Sequence, residues 1–379
     1  MRKKRVLLLS EGFGAGHTQA AQALSVSLKQ RCPELQTRVL ELGAFLHPTL
    51  APWIFTAFRK TVISQPKLYG KLYRSQYKKS LNRLAQLALH RIFYAQTAEI
   101  IRQLKPDAIV CTHPFPNVVV SRLKRAGLSI PLCTVITDYD AHGTWVSSEV
   151  TKYLVSTEDV KKKLLTRGIP PHKVEITGIP VHPGFHQPHD KGEIRARFNL
   201  SDLPTVMVMG GGWGILGNNS LYEHMAGWRE RIQFLFCLGS NEKALHKFAE
   251  NPLFQHRNIH LLGFTNEIDK LMEVSDLLIT KPGGMTCSEG LAKGIPMLFY
   301  EPIPGQEEEN LQYFTALGLG EQIESAATMD HWFRTLAEQY SEVQLHRKVL
   351  CSNARHNPLA DSSKVIIQLL NEWQETAAL

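Results

Sequence analysis

Residues 277–310, LLITKPGGMTCSEGLAKGIPMLFYEPIPGQEEEN, constrain the fold of this chain more than any other stretch. After Asp276 comes a short, unbroken apolar run ending at Thr280, which reads as a buried strand. Lys281, Pro282, Gly283 and Gly284 then form a tight turn. The spacing predicts a helix over 285–293, ended by Gly294 ahead of Pro296. A second strand over 297–300 runs into a second Pro/Gly turn at 302–305 and then the polar run from Gln306 to Asn310. Strand, glycine turn and helix in this order aim a helix N-terminus beyond the strand's carboxyl end. Its unpaired N–H groups and partial positive charge suit a phosphate. Glu289, one turn in, has the reach for a sugar diol, and Gln306, Glu307 and Asn310 offer acceptors and amides for hydroxyl groups. A plainer reading exists, because glycine turns also occur in α/β domains without ligands. Two such turns with an acid on the helix between them, all within 34 residues, favour the ligand.

The chain begins with a similar device. Residues 5–10 read as a strand, Glu11-Gly12-Phe13-Gly14-Ala15-Gly16-His17 as a glycine turn, and 18–31 as a helix with Ala20, Ala21, Leu24 and Leu28 on one face. GFGAGH lacks the GxGxxG spacing of a dinucleotide site. It reads as a shorter turn that lets backbone and His17 approach a substrate, or as one in which His17 caps or packs the helix. Further strands are expected at 39–42, 106–112, 132–137, 153–156 and 174–177. Glu11, His17, His113, Asp138 and His142 fall at the carboxyl ends of such strands, where open α/β sheets bind ligands, so they are expected to rim one cleft. After Gly178-Ile179-Pro180-Val181 a His- and Pro-rich stretch marks a domain boundary. The alternation then restarts with strands at 205–209, 234–238 and 259–262. These are followed by Gly210-Gly211-Gly212, Gly239 and Gly263-Phe264. Helices are expected at 268–273, 328–340 and 362–373, the last capped at Asp361/Ser362. A chain of 379 residues suits two domains better than one core; the expectation is 1–180, with a terminal helix of about 360–379 packed back on it, and 181–359.

Charge separates the halves. Residues 1–190 hold 27 Lys/Arg against 12 Asp/Glu, and residues 191–379 hold 16 against 23, so the first half is expected to meet something anionic. Residues 42–98 contain no acid and nine Lys/Arg, interleaved with aromatics. Trp53, Phe55, Phe58, Arg59, Lys60, Lys67, Lys71, Arg74, Lys78 and Lys79 would suit the interface of an anionic membrane. The alternative is a solvated helix hairpin whose aromatics fill the core, and no nucleic-acid module is recognisable. No apolar run approaches the ~20 residues of a membrane span. The basic start, residues 1–5, leads into a first strand rather than a signal sequence. The six cysteines stand singly and read as reduced cytosolic thiols, without disulfides or a metal site.

Several motifs, taken together, resemble a known family: GAGH at 14–17, Thr137-Asp138 with His142 and Trp145, TGIPV at 177–181, TKPGG at 280–284, Ser288-Glu289, and PGQEEEN at 304–310. They look like the processive diacylglycerol glucosyltransferases of Gram-positive bacteria and the related plant monogalactosyldiacylglycerol synthases, a glycosyltransferase family 28-like group. The second half is more distantly similar to the N-acetylglucosaminyltransferase that completes the lipid-linked peptidoglycan precursor. The resemblance implies an α/β fold of the GT-B type, two Rossmann-like domains facing each other across a cleft. It also implies inverting, metal-independent transfer of a hexose, glucose first, from a UDP-sugar to diacylglycerol or glycosyl-diacylglycerol. No cofactor is expected, nor nucleic acid. The protein is expected to be cytoplasmic and peripheral on the inner face of the cell membrane. Alternatives within the resemblance are a polyprenyl-linked or other apolar acceptor, or a non-catalytic UDP-sugar-binding regulator. Carried over by position, His17 is the favoured general base, with an ordinary pKa near 6.5, and His113 and Asp138 are its rivals. The donor is expected at Gly16, Gly210, Gly211, Gly212, Phe264, Lys281, Gly283, Gly284, Met285 and Thr286. Glu289 is expected on the ribose, and Gln306, Glu307 and Asn310 on the sugar. Trp213, and Gly290 where alanine is common, depart from the family pattern and are expected to alter the donor pocket.

Overall fold

Strands with no polar interruption, such as Arg5–Ser10 (β1) and Thr205–Met209 (β7), can be satisfied only when both faces are covered, as in a parallel sheet between helical layers. The computed structural model shows two such sheets. It describes residues 3–65, 70, 95–210, 219–356 and 361–378. The chain divides into two units, Met1–Pro183 with Ile303–Gln306 and Leu359–Leu379, and Gly184–Pro302 with Glu307–Pro358.

The first unit runs β1, α1 (Ala15–Arg31), β2 (Gln36–Glu41), α2 (Leu42–Leu46), α3 (Ala51–Ser64), α4 (Ala95–Leu104), β3 (Ala108–Cys111), α5 (Pro114–Arg125), β4 (Leu132–Val135), β5 (Lys152–Val155), α6 (Glu158–Thr166) and β6 (Val174–Ile176). The sheet order is β2-β1-β3-β4-β5-β6, with every pairing parallel. Side chains alternate across it. Leu7 and Leu9 join Ile100, Ile101, Val120 and Trp145 on one face. Val6 and Leu8 join Leu24 and Leu28 of α1 on the other, where Ile366, Leu369 and Leu370 of the C-terminal helix also pack. The chain leaves β1 for β2 on one side and returns to β3 on the other, so the switch point lies between β1 and β3.

The second unit runs α7 (Lys191–Arg197), β7, α8 (Asn219–Ala226), β8 (Gln233–Cys237), α9 (Glu242–Glu250), β9 (Ile259–Leu262), α10 (Ile268–Val274), β10 (Leu277–Thr280), α11 (Gly284–Lys293), β11 (Met297–Phe299), α12 (Gln306–Ala316), β12 (Gly320–Gln322), α13 (Ala326–Glu338) and α14 (Tyr340–His356). Its parallel order, β12-β11-β10-β7-β8-β9, puts the switch point between β7 and β10. Phe234, Phe236 and Phe333 fill the core on one face. The last helix, α15 (Ser362–Ala378), belongs to the first unit, and Asp361 caps it by accepting from the Ser363 and Lys364 N–H groups.

Three elements go beyond the sequence reading. Pro114 and Pro116 open α5, a helix the sequence reading leaves unassigned; proline is tolerated in a first turn that needs no N–H partner. The run from Gln306 is the first turn of a helix, its Glu307, Glu308 and Glu309 complementing the positive helix end. The helix expected at 328–340 is α13, Ala326–Glu338, and a further helix, α14, follows it from Tyr340.

Candidate active site

In the first unit the glycine turn after β1 and the loop after β3 meet at the switch point. His17 is the third residue of α1, whose N-cap Gly14 offers no side chain. The His17 Nδ1 lies 3.0 Å from the Thr112 carbonyl oxygen and 2.7 Å from the Thr137 hydroxyl. In return the Thr112 hydroxyl donates to the His17 carbonyl at 2.9 Å. A carbonyl can only accept, so Nδ1 carries the proton and Nε2 is the accepting nitrogen. Burial pulls the His17 pKa down to about 4, not the near-neutral value expected from an unperturbed imidazole. His17 is therefore neutral throughout the physiological range, with its lone pair available.

The rival bases are placed differently. His113 caps α5, its Nδ1 accepting from the Phe115 N–H at 3.1 Å. Its ring meets His17 edge-on at 4.6 Å, and burial holds its pKa well below the ordinary value. Asp138 is buried, 3% exposed, and its carbonyl accepts from Ser156 Oγ at 2.7 Å. His142, drawn down to about 4 by burial, has Nδ1 2.5 Å from the Thr144 hydroxyl. The buried Glu11 carboxylate accepts from the Gly43 N–H at 2.8 Å and the Gly12 N–H at 3.3 Å, and burial pushes it up to about 7. It ties the glycine turn to α2. Gly43 permits this approach, since a Cβ there would stand 2.9 Å from both carboxylate oxygens.

Phe13, in the same turn, stacks on His113 at 5.7 Å and takes Phe55 and Phe58 edge-on, each at 5.1 Å. Ala51, Phe55, Phe58 and Val62 thus form the inner face of α3, so Phe55 and Phe58 are packing residues, not the exposed rings expected. The outer surface carries Phe45, Leu50, Trp53 (77% exposed) and Ile54, with Lys60 exposed and Arg59 partly buried. Lys67, Lys71, Arg74, Lys78 and Lys79 lie outside the described residues. Among those described, no helix is long and apolar enough to cross a membrane.

In the second unit, β10 delivers Lys281-Pro282-Gly283 to the N-terminus of α11 at the switch point. Gly283 is the N-cap, without a side-chain cap, and no acid stands in the first turn. The first-turn N–H groups of Gly284, Met285 and Thr286 are those a helix leaves unpaired. A Cβ on Gly283 would meet nothing within 4 Å, so no packing among the described residues requires glycine there, and the backbone at this helix end is open to a ligand. Lys281 beside the turn has its pKa lowered by burial and raised by Glu307 and Glu301. Glu289, buried on α11, is pushed up to about 8, mainly by burial and further by the charge of Asp269. Gly210 follows β7 on the other side of the switch point, and the Tyr300 hydroxyl donates to the neighbouring Met209 carbonyl at 2.9 Å.

Other expected donor residues have distinct placements. Asn310 is fully buried and its amide donates to the Pro282 carbonyl at 2.9 Å, which holds the turn in place. Gln306 and Glu307 open α12, and Phe264, 72% exposed, follows β9. Gly16 lies in the first turn of α1, in the first unit. Gly211, Gly212 and Trp213 lie outside the described residues. Gly290 faces the sheet, where a Cβ would come within 3.0 Å of Met297 Sδ and 3.2 Å of Leu278 Cδ2. It serves helix–sheet packing, and its expected effect on the donor pocket has no basis in this position. Gly294 (φ 61°) closes α11, the Gly294 and Ile295 N–H groups donating to the Leu291 and Gly290 carbonyls. Thr137 was legible only as part of a motif; a hydroxyl residue just past an apolar strand is the signal that marks it.

Known proteins resemble this chain in sequence and in fold. The family profile described as monogalactosyldiacylglycerol (MGDG) synthase matches residues 17–181, and the glycosyltransferase family 28 C-terminal domain matches residues 205–370. A processive diacylglycerol beta-glucosyltransferase of Bacillus subtilis is 32% identical over 378 residues, covering 96% of this chain and 94% of its own. Its namesake in Bacillus licheniformis is 30% identical over 381 residues, covering 98% and 96%. Among solved structures, Acinetobacter baumannii MurG aligns with a TM-score of 0.59 at 16% identity, covering 97% of this chain and 99% of its own. A ugt transferase from Siraitia grosvenorii in complex with UDP aligns at 0.61 and 15%, covering 98% and 100%. At such identities the structural likeness establishes the fold.

Proposed function

The chain belongs to the family of monogalactosyldiacylglycerol synthases and processive diacylglycerol glucosyltransferases, a GT-B hexosyltransferase of glycosyltransferase family 28, and from that membership we propose that it moves glucose from UDP-glucose to diacylglycerol or glycosyl-diacylglycerol. The observation that carries this reading is His17, neutral, with Nδ1 held against two oxygens and Nε2 free of any proton. Nε2 takes the proton of the acceptor hydroxyl while that oxygen bonds to the anomeric carbon. The bond from that carbon to the β-phosphate oxygen breaks, and UDP leaves with the electron pair. Direct displacement inverts the configuration. The open N-terminus of α11 takes the diphosphate and Lys281 adds positive charge, so the reaction needs no metal to carry the leaving charge. Glu289 accepts the ribose hydroxyls.

The acceptor is lipid, and the outer face of α2 and α3 supports a peripheral site on the anionic inner surface of the cell membrane. Exposed Trp53 and Ile54 beside Lys60 suit headgroup depth, and the acid-free composition of residues 42–98 suits anionic lipid. Glycolipid formation on diacylglycerol vesicles tests the reading, wild type against His17→Ala. A loss of at least a hundredfold in kcat with UDP affinity unchanged is expected. A variant with near-normal turnover would remove His17 from the role of base.

A further inference from the structure

We infer that Thr137 is a positioning residue for His17, fixing the plane of the imidazole whose Nε2 takes the proton. The inference rests on the reading of His17 as the base and goes beyond it. Thr137 lies two residues past the end of β4, buried, and 120 positions from His17.

A neutral imidazole with hydrogen on Nε2 would turn a bare Nδ1 lone pair toward the Thr112 carbonyl oxygen at 3.0 Å, lone pair against lone pair. With hydrogen on Nδ1, both oxygens accept from one N–H and the conflict disappears. The carbonyl sets the preference and the hydroxyl, the nearer oxygen at 2.7 Å, fixes the ring plane between them. The surroundings keep Thr137 in place. Ser156 holds the adjoining Asp138 carbonyl, and Trp145, fully buried, backs the imidazole at 6.4 Å.

Both partners of Nδ1 are uncharged. A carboxylate there would stabilise the imidazolium and raise its pKa by about 1–3 units. Two neutral oxygens do so weakly, and the base remains unprotonated into mild acid. Among the described residues, the other ionisable groups facing His17 are His113, from the loop after β3, and His142, from the loop after β4. Asp140, paired with Lys163, and Arg167 act on His142 in opposite directions. On α1 itself, Thr18 donates to Glu41 of β2. Asp138 adjoins Thr137 in sequence.

The experiment measures kcat/KM against pH on vesicles for wild type, Thr137→Asp, Thr137→Val, Thr137→Ser and His17→Ala, with UDP affinity by calorimetry as the check on folding. Thr137→Asp is expected to move the acid limb upward by one unit or more. Thr137→Val is expected to lower kcat about tenfold with KM for the donor unchanged, and Thr137→Ser to restore both profile and rate. An acid limb unmoved in Thr137→Asp, or a wild-type kcat in Thr137→Val, overturns the inference while an inactive His17→Ala leaves the base assignment standing. An active His17→Ala overturns the base assignment itself.

Discussion

Glu289 opposes two demands on one side chain, and replacing it with glutamine separates them. The carboxyl is buried among α11 neighbours with Asp269 nearby, and its pKa rises from the ordinary 4.5 to about 8. Between these values the folded chain binds a proton that the unfolded chain does not, so stability falls as pH rises through the window. The loss is absent below pH 4.5, complete above about pH 8, and amounts to about 3 kcal/mol at pH 7 at ~1.4 kcal/mol per unit. Glu289→Gln carries no such titration. Its stability relative to wild type, from urea unfolding, is expected to grow from near zero at pH 4.5 to about 3 kcal/mol at pH 7. Binding works in the opposite direction. An ionised Glu289 accepting two ribose hydroxyls makes charge-assisted hydrogen bonds of about 1.5–3 kcal/mol, so above pH 8, where no deprotonation cost of about 1.4 kcal/mol per unit offsets them, the variant should bind UDP about tenfold more weakly. UDP binding to wild type at pH 7 should release close to one proton, read by calorimetry in buffers of different ionisation enthalpy, and binding to the variant none. Parallel stability of the two proteins at pH 5 and pH 8 would refute the burial argument. Equal UDP affinity above pH 8 would refute the contact with the ribose.

Asn310→Ala removes the donor to the buried Pro282 carbonyl at about 1–3 kcal/mol. Thermal unfolding should fall by several degrees and UDP affinity with it; an unchanged melting point with altered sugar preference would return Asn310 to reading the sugar. Trp53→Ala removes the most exposed ring of α3, worth about 2 kcal/mol at an interface, so partition to anionic vesicles should drop roughly 30-fold and binding by wild type should weaken with salt. Salt-independent vesicle binding, or none by wild type, would sink the membrane reading.

The centre of each sheet could be read from the sequence because strands covered on both faces must be apolar throughout. The runs 5–10 and 205–209 became β1 and β7 with the expected bounds. The turns at both switch points were legible as glycine followed by helix. Less visible were elements whose residue types serve two purposes. Pro114 and Pro116 give no helix signal of their own, yet they occupy a first helical turn. The run Gln306 to Asn310 reads as ligand chemistry, yet its glutamates suit a helix N-terminus and its asparagine props a turn. Phe55 and Phe58 belong to an aromatic-rich stretch, but period and burial turn them onto Phe13. Charge state was the least accessible property. The pKa values of His17 and Glu289 are set by burial, which depends on residues more than a hundred positions away or on another helix.

The central claim is tested most directly by offering the purified protein diacylglycerol in anionic vesicles with UDP-glucose, UDP-galactose and UDP-N-acetylglucosamine in separate reactions, and following UDP and lipid by mass spectrometry. Glucosyl-diacylglycerol from UDP-glucose, formed at the same rate with a metal chelator present, is the expected result. UDP binding with no glycolipid from any of the three donors would contradict it.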